Sequence, residues 1–268
     1  MYSILLFPCE EMKLRLLFAA AAATAVAFAA PVRAQEDSAA KATGFYATLG
    51  VGASWADNTG NNSKAYTGSW TTGEAFAGTY TPKLDLNGGF AGEAGLGYDF
   101  GDIRAELTYT YTGNSVGDIT GSGTESGTLN GTIYTNVPYT FTLGGSGTVS
   151  RNSVLVSGYY DIETKSDWTP YFGGGLGYTS VSIPTQTGTA TLTGGGITAT
   201  QAVDVKGGSA GALGYQAKIG VSYAASEKAD IFLEGTYQGS SGVSISGISY
   251  SPLNAFGARA GVRFRFGK

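Results

Sequence analysis

The chain has 268 residues, with 16 basic and 20 acidic side chains and a formal net charge of −4 at pH 7. This balance argues against a nucleic-acid-binding protein, which needs a basic surface. One cysteine and no histidine exclude a disulfide framework, a thiolate metal site and histidine-based acid–base catalysis. The many glycines and tyrosines, 43 and 17, favour an all-β protein.

The N-terminus predicts export. Lys13 and Arg15 precede an apolar run over residues 16–30, and small residues end the segment at Ala34. This is the layout of a secretory signal peptide, cleaved after Ala34, with Met12 as the true start. A membrane anchor is the alternative, but the run is shorter than the ~20 residues that span a bilayer. We therefore expect a leader over residues 1–34 and a β domain over residues 35–268.

Eight later segments alternate between apolar residues and glycine or polar residues, which is the period of a β-strand. In the last one, Phe256, Val262 and Phe264 share one face, and arginines occupy the other. The segments cover residues 45–55, 90–100, 103–111, 153–161, 168–183, 215–223, 230–238 and 256–266.

The connections between these segments alternate in length. Short turns follow the second, fourth and sixth segments, whereas the other connections are long and rich in glycine, threonine and serine. Long loops at one end and short turns at the other are typical of bacterial outer-membrane barrels. We predict an eight-stranded antiparallel transmembrane β-barrel, an up-and-down meander with long extracellular loops. A ten-stranded barrel is the alternative, because residues 132–143 and 187–205 also alternate.

The face opposite the apolar one would line the lumen, where charged side chains need partners. We expect a salt-bridge network that plugs a lumen just wide enough for side chains, with Arg104, Arg259 and Arg263 paired to glutamates. A narrow ion path is the functional alternative. The candidate residues are Glu93, Arg104, Glu106, Lys218, Glu234, Arg259, Arg263 and Arg265.

Residues 169–178 read Thr-Pro-Tyr-Phe-Gly-Gly-Gly-Leu-Gly-Tyr. This segment resembles the Pro-Tyr-x-Gly-x-Gly-x-Gly strand of small outer-membrane β-barrel proteins, the opacity-protein and surface-antigen relatives of the OmpA membrane domain. The final strand is similar to the one that the barrel-assembly machinery recognises in that family. The resemblance implies an integral outer-membrane protein of a Gram-negative cell envelope, with outer-membrane lipid, lipopolysaccharide and that machinery as partners. It implies no single biochemical activity.

The sequence holds no catalytic constellation that we recognise. The glycine run at residues 173–177 lies within a strand and lacks the lysine of a phosphate-binding loop. We therefore expect no enzyme, no cofactor and no metal site. The expected function is a structural, surface-exposed antigen whose loops serve recognition or adhesion of a host or environmental ligand. The alternative is a porin-like channel for small solutes or ions.

Overall fold

A computed structural model describes residues 43–57, 59–60, 63–69, 73–194 and 197–266. The predicted leader and its cleavage point lie outside these residues. The described chain is built from β-strands. They are β1 (Gly44–Ala56), β2 (Thr59–Gly60), β3 (Lys64–Ser69), β4 (Ala75–Asp99), β5 (Ile103–Leu129), β6 (Thr132–Leu143), β7 (Thr148–Asp161), β8 (Trp168–Ile183), β9 (Gln186–Gly194), β10 (Ile197–Val205), β11 (Gly208–Ser226), β12 (Ala229–Ser240), β13 (Val243–Ile245), β14 (Ile248–Tyr250) and β15 (Leu253–Phe266).

Eight antiparallel strands form a closed ring in the order β1, β4, β5, β7, β8, β11, β12 and β15. The ring closes where β15 pairs with β1, from Phe45 opposite Phe266 to Ala56 opposite Ala255. The eight-stranded prediction is confirmed. The ten-stranded alternative is wrong, because β6, β9 and β10 pair with each other and with the upper part of β5.

The barrel is inverted relative to a soluble protein. Leu49, Val156 and Ile219 are each more than 60% exposed on the outside, whereas inward-facing Thr108 is fully buried. An apolar exterior around a polar interior is the arrangement of a membrane barrel. No helix among the described residues is long and apolar enough to cross a membrane.

Aromatic side chains form two girdles around the exterior. Phe45 packs edge-on against Tyr98 at a ring distance of 4.9 Å near the short-turn end. Tyr237 and Phe256 lie 5.0 Å apart near the long-loop end. Phe45 and Trp55 lie at the two ends of β1, and the strand rise and tilt separate such positions by roughly 25 Å along the barrel axis. This matches the height of the apolar band of outer-membrane barrels.

At the long-loop end the barrel sheet continues into an extension that we call the wing: β3, the outer parts of β4 and β5, and β6, β9 and β10. β4 and β5 contain 25 and 27 residues, far more than the ~10 that cross a membrane, so their outer parts project beyond it. At the tip of the β5–β6 hairpin, Asn130 and Gly131 both have positive φ, 52° and 76°, as a tight hairpin turn requires.

One face of the wing is aromatic. The Phe141 ring lies over Gly121 of the neighbouring strand, where a methyl group would overlap it. The hydroxyl of Tyr66 donates to Glu125 at 2.7 Å, and that of Tyr134 donates to the same carboxylate at 2.8 Å. Burial, followed by hydrogen bonds with Tyr139 and Glu125, raises the pKa of Tyr66. Tyr66 therefore remains a neutral donor over the physiological pH range.

An apolar cluster fills the long-loop mouth of the barrel, which we call the mouth cluster. It includes Leu84, Ile119 and Val181 from the barrel strands and Ile245 and Tyr250 from the β13–β14 hairpin. The hairpin is a separate two-stranded sheet whose apolar side chains cover the opening. The sequence predicts polar loops over most of this region, so this core was not predicted.

Candidate functional site

The strand alternation directs polar side chains into the lumen below the mouth cluster. Among the described residues of the ring, acids and bases face inward in equal number. The acids are Glu93, Asp99, Glu106, Asp161, Asp230 and Glu234, and the bases are Arg104, Arg151, Lys218, Arg259, Arg263 and Arg265. All except Arg265 are buried. Small residues on the same face, such as Gly50 and Gly261, leave room for these long side chains, and the Phe232 ring lies over both.

Four side chains at the centre of the lumen form one ion cluster, which we call the central cluster. The Lys218 ammonium lies 2.7 Å from Glu93 Oε2 and 3.0 Å from Glu234 Oε1. The Arg259 guanidinium lies 2.7 Å from the same Glu93 oxygen and 4.0 Å from Glu234. The side chains are at most 3% exposed. Burial at such distances makes these ion pairs much less sensitive to salt than surface pairs.

Three further ion pairs, centred on Asp161 and Asp230, lie toward the short-turn end. Arg104 donates from Nε and Nη2 to both carboxylate oxygens of Asp161, at 2.8 and 2.9 Å. Asp230 accepts from Arg263 at 3.4 Å and from Arg265 at 2.6 Å. The bidentate Arg104 contact fixes orientation as well as charge.

Tyrosine rings fill the space between these arginines. The Arg104 guanidinium carbon lies 4.8 Å from the Tyr159 ring centre and 4.9 Å from that of Tyr171. Arg263 lies 5.3 Å from the Tyr46 ring centre. These distances suit cation–π attraction, so charge and aromatic surface fill this end of the lumen together.

The pairing differs from the sequence expectation at three positions. Arg104 and Arg263 pair with Asp161 and Asp230 rather than with glutamates. Glu106 instead accepts from the Tyr46 hydroxyl at 3.0 Å and from the Thr108 hydroxyl at 2.9 Å. The reason is register, because the pairing of neighbouring strands decides which inward groups share a level of the barrel.

Amides extend the central cluster toward the mouth. Arg259 Nη2 donates to Gln238 Oε1 at 2.6 Å, Gln238 Nε2 donates to Gln216 at 3.0 Å, and Gln216 donates to Ser157 Oγ at 2.8 Å. This chain crosses the lumen from β15 to β7. Gln238, Gln216 and Ser157 have the inward parity, so the alternation places them in the lumen, but they carry no charge and were not among the predicted site residues.

Arg151 is a lumen residue that the sequence analysis missed. It lies in β7, is 6% exposed, and shares the inward face with Ser153 and Ser157. The predicted strand begins at residue 153, five residues after the start of β7 and two residues after Arg151. Extending the same alternation would have found it.

The space left in the lumen is small. A cavity of about 10 Å³ lies among residues that include Glu93, Arg104, Glu106, Lys218 and Glu234. Such a volume holds about one water molecule. The described residues contain no group of three or more acidic, histidine or cysteine side chains placed to hold a metal ion.

Comparison with solved structures finds small surface barrels. Neisserial surface protein A is 18% identical, with 83% of this chain and 97% of that chain covered and a TM-score of 0.42. The protease OmpT of Escherichia coli is 8% identical, with coverage of 87% and 99% and a TM-score of 0.40. Ail, the attachment invasion locus protein of Yersinia pestis, is 10% identical, with coverage of 82% and 99% and a TM-score of 0.31. These values carry no argument about activity.

A comparison with curated protein sequences finds no match. The family model described as "Surface antigen" matches residues 61–266, which is most of the chain and nearly all of the barrel. This match assigns the chain to a family, and the apolar exterior, the two aromatic girdles and the closed ring of strands agree with that assignment. It belongs to the surface antigen family and is a β-barrel protein of the Gram-negative outer membrane.

Proposed function

We propose that the protein is a closed barrel that anchors a recognition surface in the outer membrane. The observation that carries this proposal is the central cluster, in which Lys218 and Arg259 bridge Glu93 and Glu234 across the lumen. Breaking a buried ion pair by removing one partner costs ~3–5 kcal/mol. The cluster therefore opposes opening and stabilises the barrel at the same time.

The wing is the part of the molecule that would meet a host or environmental ligand. Its outer strands project beyond the apolar band, and the outer face carries hydroxyl side chains such as Thr79 and Thr124, whose Oγ atoms lie 3.4 Å apart. A sheet that projects from the membrane, with one hydroxyl-bearing face and one aromatic face, suits recognition or adhesion better than solute passage. Lipopolysaccharide and outer-membrane lipid would surround the girdles, and β15 would be the strand that engages the barrel-assembly machinery.

The proposed role is not enzymatic. The chain has no histidine, the usual general base. The inward carboxylates Glu93, Asp161, Asp230 and Glu234 are paired with cations inside the plug, where no substrate of ordinary size fits. Recognition without turnover is the function that this arrangement supports.

Current recordings in planar lipid bilayers test the plug. We expect no steady current through the wild-type barrel, nor through the variant Lys228→Gln, which alters an exposed turn residue. A steady wild-type conductance that rises when Arg259 or Glu234 is neutralised would identify a channel for small solutes or ions instead. That result would overturn the closed-barrel proposal.

A further inference from the structure

Arg151 is a buried cation whose hydrogen bonds all go to neutral groups. Its Nε donates to Thr112 Oγ1 at 3.1 Å, and its Nη1 donates to the carbonyl oxygens of Leu253 at 3.0 Å and Gln238 at 3.5 Å. Its Nη2 has no hydrogen-bond partner among the described residues. Burying a charge without a counter-charge costs folding free energy. Packing alone therefore does not explain why an arginine occupies this position.

A second unpartnered polar group lies beside it. Ser240 is fully buried, and its Oγ has no hydrogen-bond partner within the described part of the chain. Ser240 stands opposite Leu253 in the β12–β15 pairing, and the Leu253 carbonyl is an acceptor for Arg151. Arg151 has no ion-pair partner within the described part of the chain, whereas the neighbouring cation Arg259 is paired with Glu93. This level of the lumen therefore offers two free donors and one unpaired positive charge, which is the chemistry of an anion site.

The mouth cluster lies directly above this level. Val181 pairs with Arg151 in the β7–β8 register and belongs to the cluster, as do Val149, Leu253 and Ala255. The charged Arg151 thus lies directly below apolar side chains. A small inorganic anion would contact only Arg151 and Ser240, whereas an amphipathic anion would also contact the mouth cluster.

The β13–β14 hairpin closes the mouth of the barrel and is attached to the barrel strands by few polar contacts. It has no ladder pairing with the barrel strands. At its base, Ser241 N donates to Leu213 O at 2.9 Å, and Leu213 N donates to Ser241 Oγ at 3.2 Å. Ser246 Oγ donates to the Gly207 carbonyl at 3.0 Å. Otherwise its buried Val243 and Ile245 fill the space that an aliphatic chain would take. An aliphatic chain that takes their place leaves the water itself, and this burial offsets the exposure of Val243 and Ile245.

We propose that the mouth of the barrel is a binding site for a single-chain amphipathic carboxylate, such as a fatty acid. The carboxylate is held by Arg151 and Ser240, and the aliphatic chain displaces the β13–β14 hairpin from the mouth cluster. This site faces the outside and is separate from the central cluster, so it needs no open path through the barrel.

Binding of radiolabelled laurate to the protein in zwitterionic lipid nanodiscs, corrected for empty nanodiscs, tests the site. We expect saturable binding to the wild type, weakened at least tenfold in Arg151→Gln and only partly in Arg151→Lys. The control Lys228→Gln should bind as the wild type does. Dodecanol and acetate, which lack the charged head and the chain respectively, should compete at least tenfold more weakly than laurate.

Hydrogen exchange gives an independent readout of hairpin displacement. Laurate should speed exchange of backbone amides over residues 243–250 in the wild type and leave Arg151→Gln unchanged. Heat-modifiable gel mobility shows that each variant forms the barrel. Laurate binding that is equal in wild type and Arg151→Gln, equal competition by dodecanol, absence of saturable binding, or unchanged exchange in the hairpin would each overturn the proposal.

Discussion

Replacing Lys218 by methionine isolates the energetic role of the central cluster. The Lys218 ammonium lies 2.7 Å from Glu93 and 3.0 Å from Glu234, so at an effective dielectric constant of about 20 the two attractions are about 6 and about 5.5 kcal/mol. Much of this offsets the cost of desolvating the ions, and the net loss on removing one partner is ~3–5 kcal/mol. We expect Lys218→Met to lower the free energy of unfolding by that amount, because Glu234 is left with Arg259 at 4.0 Å.

The double variant Lys218→Met/Glu234→Gln removes one charge of each sign and leaves the Arg259–Glu93 pair. It should recover ~2 kcal/mol of the loss, because buried charges are again matched. Urea titration of folding into lipid vesicles, followed by tryptophan fluorescence, measures these differences. Lys228→Met, in an exposed turn, is the matched control and should change stability by less than ~0.5 kcal/mol. A single-variant loss under 1 kcal/mol, or no recovery in the double variant, would refute the reasoning.

Three further predictions concern the lipid face, the orientation and the wing. Val51→Arg should lower the free energy of unfolding by ~2–4 kcal/mol in the same titration, because Val51 is 57% exposed on the apolar band. A decrease of less than 1 kcal/mol would contradict a lipid-facing position. On intact cells, an impermeant maleimide should label Ser122→Cys in the wing, but Lys165→Cys only after the outer membrane is permeabilised; the reverse pattern would invert the barrel. Replacing residues 120–142 by Asn-Gly should leave a heat-modifiable barrel, because the flanking Ile119 and Leu143 already pair in register and Asn-Gly forms a tight hairpin turn. Loss of the fast-migrating folded band on the gel would show that the barrel depends on the wing.

The strand alternation predicted the barrel and its two faces because a membrane strand has a strict period of two. Outward Leu49 and inward Thr48 needed nothing beyond their parity. The pairings inside the lumen could not be predicted in the same way. Arg104 reaches Asp161 rather than a glutamate, since a partner depends on register and on how far each side chain extends across the barrel.

The mouth cluster escaped prediction for a different physical reason. The β4–β5 pairing shifts register between Leu84 and Leu86, and again between Leu86 and Gly89. Across these irregularities the inward parity changes, so Leu84 and Leu86 face inward above them while Ala91 and Glu93 face inward below. A β-bulge of this kind interrupts the alternation, and the upper strand therefore read as part of a loop.

The change of interior from charged to apolar along the barrel axis follows from what surrounds it. At the level of the girdles the barrel is surrounded by hydrocarbon, so apolar residues lie on the outside. The polar side chains there must bond to one another inside the lumen, as Glu93 and Arg259 do. Above the girdles the outside is water. There Lys83 points outward, with its side chain 53% exposed, and Leu84 and Ile119 are buried inside, as in a soluble sheet protein. Arg151 lies where these two parts of the barrel meet, which is why a buried cation stands opposite an apolar residue, Val181.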